Sequence, residues 1–368
     1  MDNVFIKKAA EYNPAQLSAA VDDAFTCLGI DIKSFAGKRI LIKPNLLMKR
    51  KPEEATTTHP EVVRAIIKAL KAAGADNITI ADSPGGPYAK QYLSMIYNDA
   101  GYTKLAAEEN VSLNFDTGFE RFPCTDGETC KSFNIIGPII NADVVINVAK
   151  LKTHAMTGLS GAVKNLFGAV PGLQKPEMHL QYPHISDFCN MLVDLCLTVR
   201  PTICFVDAIV SMEGDGPSGG TPKSTGLLFA SANPYALDRV LCKTINLDES
   251  SVYTVVHSLR RGLCAEKFSD IKLCGDALTV FDDFRMPASH NVNMFEKLPK
   301  PITAVMKRIF EKKPKITCKK CVGCGKCAES CPAHTIAMEN RKAKIAYKKC
   351  IKCFCCHEMC PVKAIEIK

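Results

Sequence analysis

The sequence lacks any apolar run of about 18 residues, and this excludes a membrane-spanning helix. Its start, Met1-Asp2-Asn3, also lacks the charged segment and apolar stretch of a secretory signal. The nineteen cysteines do not suggest a disulfide framework, because ten of them are crowded near the carboxyl terminus with metal-ligand spacing. We therefore expect a cytoplasmic protein in a reducing compartment, with no transmembrane segment.

The sequence also lacks the stacking aromatics and the known modules of nucleic-acid-binding proteins. The net charge of +9 is unevenly spread: residues 316–368 hold eleven Lys or Arg against four Glu, and residues 296–315 hold seven against two. Residues 1–295 are left at −3. We expect the basic carboxyl-terminal segment to steer an acidic redox partner protein rather than to bind nucleic acid.

The crowded cysteines follow one spacing twice. The pattern C-x2-C-x2-C-x3-C-P runs from Cys321 to Pro332 and again from Cys350 to Pro361. In bacterial proteins it holds two [4Fe–4S] clusters, and the fourth cysteine of each run ligates the other cluster. The predicted ligands are Cys321, Cys324, Cys327 and Cys360 for the first cluster, and Cys350, Cys353, Cys356 and Cys331 for the second.

A structural zinc site is the alternative, since C-x2-C pairs also bind zinc. Zinc does not require three evenly spaced cysteines before a Cys-Pro step, nor the same register 29 residues later, so the pattern favours iron–sulfur clusters. When each cysteine run is aligned on its Cys-Pro step, Cys318 and Cys355 fall outside the pattern. We expect these two residues to be free thiols beside the clusters. Residues 316–368 resemble a bacterial-type two-cluster ferredoxin domain, which implies a small α+β fold.

Residues 1–295 alternate apolar strands with amphipathic helices. Strands are predicted near residues 39–43, 77–81, 143–148, 203–207 and 226–230, with helices between most of them. A β insert is expected around residues 111–130. This alternation indicates an α/β domain with an open, mostly parallel sheet and flanking helices.

Polar side chains follow four of these strands, at the sheet edge where such domains bind ligands. Residues two apart in an extended chain share a face, so Lys150, Lys152 and His154 would point the same way and suit a small anionic substrate. We predict that these three residues are catalytic, His154 because its pKa lies nearest neutrality. The predicted substrate-binding residues at this edge are Lys43, Asn45, Asp82, Ser83 and Asp207.

Two glycine-rich stretches are candidate anion sites. Residues 214–219 fit G-x-G-x-x-G, but they precede another strand instead of opening a helix, so a pocket loop is favoured over a dinucleotide site. The stretch 160–168 could open a helix that receives an anion, with Lys164 and Asn165 either as ligands or as capping residues.

The large domain resembles the family catalogued as domain of unknown function 362. The resemblance covers about residues 35–285 and rests on four motifs. They are Lys150-Leu-Lys-Thr-His154, Ser160-Gly-Ala-Val-Lys-Asn-Leu-Phe-Gly168, Asp207-Ala-Ile with Glu213-Gly-Asp-Gly-Pro217, and Asn233-Pro with Ala236-Leu-Asp238. It supports the fold and implies a frequent fusion to a two-cluster segment, but it implies no particular reaction.

A proline-bounded basic amphipathic helix is predicted in the linker, residues 296–315. Its apolar stripe is expected to dock the two domains on each other rather than to lie on an anionic membrane.

Two functions remain. In the first, single electrons pass through the clusters to a small anionic substrate or a further redox centre, with a flavin or an additional metal left open. In the second, the protein is a non-enzymatic electron carrier or a metallocofactor assembly factor whose α/β domain recognises a partner.

Overall fold

The computed structural model describes residues 2–289 and 312–368. Its strands, in chain order, are β1 Asn3–Lys8, β2 Ile40–Pro44, β3 Ile78–Ile80, β4 Ser112–Leu113, β5 Phe119–Pro123, β6 Ser132–Ile136, β7 Val144–His154, β8 Gly158–Ser160, β9 Ile203–Glu213, β10 Thr221–Ser231, β11 Lys272–Gly275, β12 Pro314–Ile316, β13 Ile336–Glu339, β14 Lys342–Ile345 and β15 Ile365–Ile367.

Within those residues, nine strands form one sheet in the order β11-β1-β10-β9-β7-β2-β3-β4, with β8 paired to β7. Its parallel pairs are β1–β11, β2–β3, β2–β7, β3–β4 and β7–β9, and its antiparallel pairs are β1–β10, β9–β10 and β7–β8. The prediction of an open, mostly parallel sheet is confirmed.

Helices cover both faces of this sheet. They are α1 Pro14–Cys27, α2 Pro60–Ala72, α3 Lys90–Asp99, α4 Tyr102–Glu109, α5 Gly137–Ile140, α6 Ala162–Asn165, α7 Gln174–Gln181, α8 Ile185–Val199, α9 Pro234–Thr244 and α10 Tyr253–Arg260, with α11 Lys326–Glu329 and α12 Cys355–Glu358 in the carboxyl-terminal domain. Short 3-10 turns span Ile32–Phe35, Pro52–Glu54, Leu166–Ala169, Glu249–Ser251, Phe268–Asp270 and Tyr347–Lys349.

The central strand β7 shows why both faces are covered. Successive residues of a strand point to opposite faces. Val144 and Ile146 join one apolar core with helices α1 to α4, whereas Val145 and Leu151 join the other core with α8 and α9. A strand that is apolar on both sides must be buried on both sides, which is typical of parallel sheets.

The predicted β insert forms in part. Strand β4 extends the edge of the main sheet, while β5 and β6 form a separate antiparallel hairpin. Residues 214–220 form the connection between the antiparallel strands β9 and β10, with no helix after them. The linker helix predicted within residues 296–315 lies almost wholly outside the described residues, and the domain boundaries stay a prediction.

The carboxyl-terminal domain contains two copies of a small unit, as the two cysteine runs predict. Each run contains a single-turn helix, α11 or α12, and is followed by a short strand, β13 or β15. Strand β15 pairs with β12, and β13 pairs with β14 across a turn at Asn340 and Arg341. Both turn residues have positive φ, as a two-residue hairpin turn requires.

Candidate functional site

A cavity lies where the parallel strands of the large sheet end. Its walls come from both domains, since the strand ends face helix α12 across it. The polar side chains that line it are Asn45, Asp82, Ser83, Lys150, Lys152, His154, Ser160, Lys164, Asn165, Lys175, His179, Ser330, Cys355 and Glu358. Eight of the ten residues predicted at this edge are therefore brought together, all except Lys43 and Asp207.

The stretch from Lys150 to His154 is extended, because β7 continues for eleven residues and ends at His154. Lys150, Lys152 and His154 all line the cavity, and each is only 1% exposed. The hydrogen bonds of each side chain therefore decide what it can do.

Lys150 is held in a buried ion pair. Its ammonium donates to Asp207 Oδ2 and to the Tyr12 hydroxyl, both at 2.8 Å. Asp207 also accepts from Tyr12 and from the backbone N–H of His59. Asp207 does not line the cavity and holds Lys150 in place, and its predicted contact with a substrate stays a prediction.

Lys43 and Asp82 form a second buried pair, with Nζ and Oδ1 2.7 Å apart. Lys43 also donates to the carbonyl oxygens of Asn165 and Pro44. It is 0% exposed and does not line the cavity. Lys43 thus holds Asp82 in place, and its predicted role in binding a substrate stays a prediction.

The Lys43–Asp82 pair explains the glycine at position 168. A Cβ there would collide with the Asp82 carboxylate and lie 2.7 Å from Lys43 Nζ. We expect Gly168→Ala to lower the free energy of unfolding by about 1–3 kcal/mol, the usual cost of overpacking. Gly137→Ala is the matched control, because its Cβ would have no neighbour closer than 3.5 Å. Equal stability losses in the two variants, measured by denaturant unfolding, would contradict this account.

Lys152 orders a chain of amide side chains. Its Nζ donates to Asn45 Oδ1 at 2.8 Å and to the carbonyl oxygen of Thr56 at 2.7 Å. Asn45 then donates to Asn165, and Asn165 donates to Asn147. Burial lowers the pKa of Lys152 to about 7, so its charge changes near neutral pH. One of its three N–H donors has no acceptor among the described residues and is available to a ligand.

Lys175 is a buried cation that sequence reasoning missed, since it belongs to no strand end and no motif. Its Nζ donates to the Ser83 carbonyl, the Ser83 hydroxyl and the Val170 carbonyl at 2.7–3.0 Å. Ser83 in turn accepts from the backbone N–H of Gly172. Burial lowers the pKa of Lys175 to about 7.

This pKa predicts a pH dependence of stability. Between about pH 7 and pH 10 an unfolded lysine keeps its proton while the folded Lys175 loses it, so stability rises with pH. We expect the unfolding free energy of the wild-type protein to rise more steeply than that of Lys175→Met, by up to about 1.4 kcal/mol per pH unit. Exposed Lys68 provides the control variant Lys68→Met, which should keep the wild-type slope. Parallel slopes for all three proteins would contradict the assignment.

His154 is fixed in one tautomer. Its Nδ1 accepts from the backbone N–H groups of Met156 and Thr157, so the proton sits on Nε2, 3.0 Å from Glu358 Oε1. Burial and the nearby Lys164 lower the pKa of His154 to about 4. The expectation that His154 titrates near neutrality is therefore wrong, and the neutral imidazole is oriented by Glu358 of the other domain.

Lys164 is the cavity cation best placed to meet a ligand. Among the described residues its ammonium has no hydrogen-bond acceptor and no ion-pair partner, and it lies 5.5 Å from the Phe167 ring centroid. The neighbouring His179 stacks on Phe188, and its buried Nδ1 has no partner within the described parts of the chain. Anion binding is the chemistry that suits an ammonium with no direct ion-pair partner in such a wall.

Eight of the ten carboxyl-terminal cysteines sort into two sets in space. The small domain holds two separate cavities, each lined by four cysteines. The first contains Cys321, Cys324, Cys327 and Cys360, and the second contains Cys331, Cys350, Cys353 and Cys356. Of the two spare thiols, Cys318 is exposed and lines neither, whereas Cys355 lines the large cavity.

The surroundings of these cysteines fit [4Fe–4S] clusters. Backbone N–H groups point at the sulfur atoms: Ala364 donates to Cys360 Sγ at 3.1 Å, and Thr335 donates to Cys331 Sγ at 3.3 Å. Backbone N–H groups of Ala343 and Gly323 lower the pKa of the Cys321 thiol. Such donors stabilise thiolates and cluster sulfurs.

Matches to protein-family models identify the family to which the chain belongs. The model of the family described as domain of unknown function (DUF362) matches residues 40–243, more than half of the chain. The chain belongs to the DUF362 family. A model described as 4Fe-4S dicluster domain matches residues 313–361, so this DUF362 protein carries an iron–sulfur domain for electron transfer.

One curated relative of this DUF362 protein is the thylakoid-associated protein sll1697 of Synechocystis sp. It is 32% identical over 265 residues, which cover 71% of this chain and 80% of the relative. Among solved structures, the lactate racemase apoprotein of Thermoanaerobacterium thermosaccharolyticum matches with a TM-score of 0.39 and 14% identity, covering 65% of this chain and 57% of that one. In residues 2–289 and 312–368 of the DUF362 protein, no helix has both the length and the apolar composition needed to cross a bilayer.

Proposed function

We propose that this protein is an iron–sulfur oxidoreductase of a reducing compartment such as the cytoplasm. Single electrons pass through its dicluster domain to a small anionic substrate, or to a further redox centre, in the cavity at the strand ends. When bound, two [4Fe–4S] clusters supply one-electron transfer. The supporting observation is that helix α12 belongs to both sites, since Cys356 lines the second cysteine set while Cys355 and Glu358 line the substrate cavity.

Contacts between the domains support this arrangement. The loop of residues 214–220 meets α12 and the segment after it, where the Ser218 hydroxyl donates to the Glu358 carbonyl and Lys363 donates to the Gly220 carbonyl. Phe354, directly before α12, packs against Ala155 of the large domain. The second cysteine set is thereby fixed beside the cavity, as short-range electron transfer requires.

The residues that line the cavity have different roles. Lys164 attracts the anion, and Lys152 donates one further hydrogen bond or a proton, because its pKa of about 7 allows both forms at neutral pH. His154 presents a neutral Nε2–H beside Glu358 and orients whatever binds there. Lys152 and His154 are buried, and the low dielectric around them strengthens their interaction with a bound anion.

The test is anion-dependent reoxidation of the reduced protein. Anaerobically purified protein would be photoreduced and mixed with a panel of small carboxylates and phosphates, while the cluster absorbance is followed. We expect one class to accelerate reoxidation, and Lys164→Met to raise the half-maximal concentration about tenfold or more, since a charge-assisted hydrogen bond is worth about 1.5–3 kcal/mol. Lys68→Met should behave as wild type.

Two outcomes would overturn the proposal. Either no anion accelerates reoxidation and mass spectrometry finds none bound to the purified protein, or Lys164→Met and Lys68→Met respond alike. The function would then be that of an electron carrier or assembly factor, with the large domain recognising a partner.

A further inference from the structure

The two cysteine sets differ in what covers them. The second set lies against the large domain through Phe354, which is 7% exposed. The cavity of the first set instead opens at the surface, lined by Val322, Met338 and Val362, which are 58%, 38% and 40% exposed. Cys324, a predicted ligand of this set, is itself exposed. Contiguous exposed apolar side chains around a redox site indicate a docking surface.

Cations border this apolar patch, defined as Val322, Met338 and Val362. The backbone of Arg341 packs against Gly323, next to Val322, and Lys342 donates to the carbonyl oxygen of Cys321. Both side chains are exposed and stand at the turn of the hairpin that carries Met338. Residues 316–368 keep a charge of about +3 even after two clusters of about 2− each are subtracted from +7.

We infer that this face, the patch with Arg341 and Lys342, docks an acidic electron-transfer protein over the first cysteine set. The inference rests on the proposed function and gives it a direction in space: electrons are exchanged with the partner at the first set and with the cavity ligand at the second. An apolar centre with a cationic border fits an acidic partner, because complementary charge speeds encounter and orients the two proteins. Exposure of Cys324 leaves little protein between a bound cluster and the partner.

The probes are two haem proteins of opposite charge, an acidic b-type cytochrome and a basic c-type cytochrome. Binding would be measured by calorimetry with every protein oxidised, so that no electron passes, and haem reduction by the photoreduced protein would be followed by stopped flow. We expect the acidic probe to bind more tightly and to be reduced faster than the basic probe. Its affinity and its reduction rate should both fall as the salt concentration rises. Arg341→Glu/Lys342→Glu should weaken binding and slow that reduction about tenfold or more.

The matched control is Lys348→Glu/Lys349→Glu, which makes the same charge change at exposed residues beside the second set. Iron content should be unchanged in both double variants. Equal slowing in both would mean that overall charge, not this face, attracts the probe, and stronger binding of the basic probe would also overturn the inference. Sedimentation of the wild type, but not of Arg341→Glu/Lys342→Glu, with phosphatidylglycerol vesicles would make the face a lipid surface instead.

Failure here is distinguishable from failure of the proposed function. Docking is measured with oxidised proteins and without a cavity ligand, whereas the cavity is tested by anions without a protein partner. If only the docking test fails, the assignment of the face is wrong. If only the anion test fails, the assignment of the cavity is wrong.

Discussion

Cys331→Ala is expected to abolish the second cluster and leave the first intact. Cys331 belongs in sequence to the first run, but in the structure it lines the cavity of Cys350, Cys353 and Cys356. Without it the second set has three thiolates for four irons. Iron analysis of anaerobically purified protein should fall from about eight to about four atoms per chain, with the spectrum of one reduced cluster retained.

The reciprocal variant is Cys360→Ala, which should lose the first cluster, because Cys360 lines the cavity of Cys321, Cys324 and Cys327. Cys318→Ala is the control, since this exposed thiol lines neither cavity and should retain all the iron. If Cys331→Ala and Cys324→Ala lose the same cluster, as judged by the remaining spectrum, each run holds its own cluster and the crossed assignment is wrong. Zinc in place of iron in the wild type would contradict the whole metal assignment.

Asp207→Ala is expected to destabilise the large domain by about 3–5 kcal/mol, because it leaves the buried Lys150 ammonium without its counter-ion. Both members of this pair are 0% exposed at the side chain. Tyr12 and the His59 N–H would also lose their acceptor. Anaerobic urea unfolding followed by far-ultraviolet circular dichroism measures the loss.

Two comparisons isolate the unpaired charge. Lys150→Met/Asp207→Leu removes both charges and should recover much of the stability, since an apolar pair can replace a buried ion pair at little cost. Asp143→Ala breaks an exposed pair with Arg39 and should change stability little, because water screens exposed ion pairs. If Asp207→Ala were as mild as Asp143→Ala, the Lys150–Asp207 pair would not support the site.

Much of the fold follows from local pattern. The alternation of apolar strands and amphipathic helices predicts the mostly parallel sheet, and parallel strands must end at one edge, so the position of the cavity is predictable too. The crossed sorting of the cysteines is also predictable, because three thiols on one tight loop bind three irons of a cluster and the fourth cysteine of each run then ligates the other cluster. Predicting the β insert succeeded only in part, since strand pairing at a sheet edge depends on non-local contacts.

The roles of individual polar residues did not follow from pattern. Lys43, Lys152 and Lys164 look alike in the sequence, yet in the structure only Lys164 lacks a partner within the described residues. The partners lie far along the chain, as with Lys43 and Asn165, which are 122 positions apart. A periodic sequence pattern spans only a few residues, so it cannot predict a contact between residues so far apart along the chain.

The α/β class, the sheet edge where the cavity lies and the two cysteine sets follow from the sequence, because each depends on spacing over a few residues. Which cations are free, which proton His154 carries and how helix α12 lines the cavity follow only from the folded arrangement. These depend on burial and on groups from two domains meeting, and the free energy of a buried charge is set by the neighbours that folding brings to it.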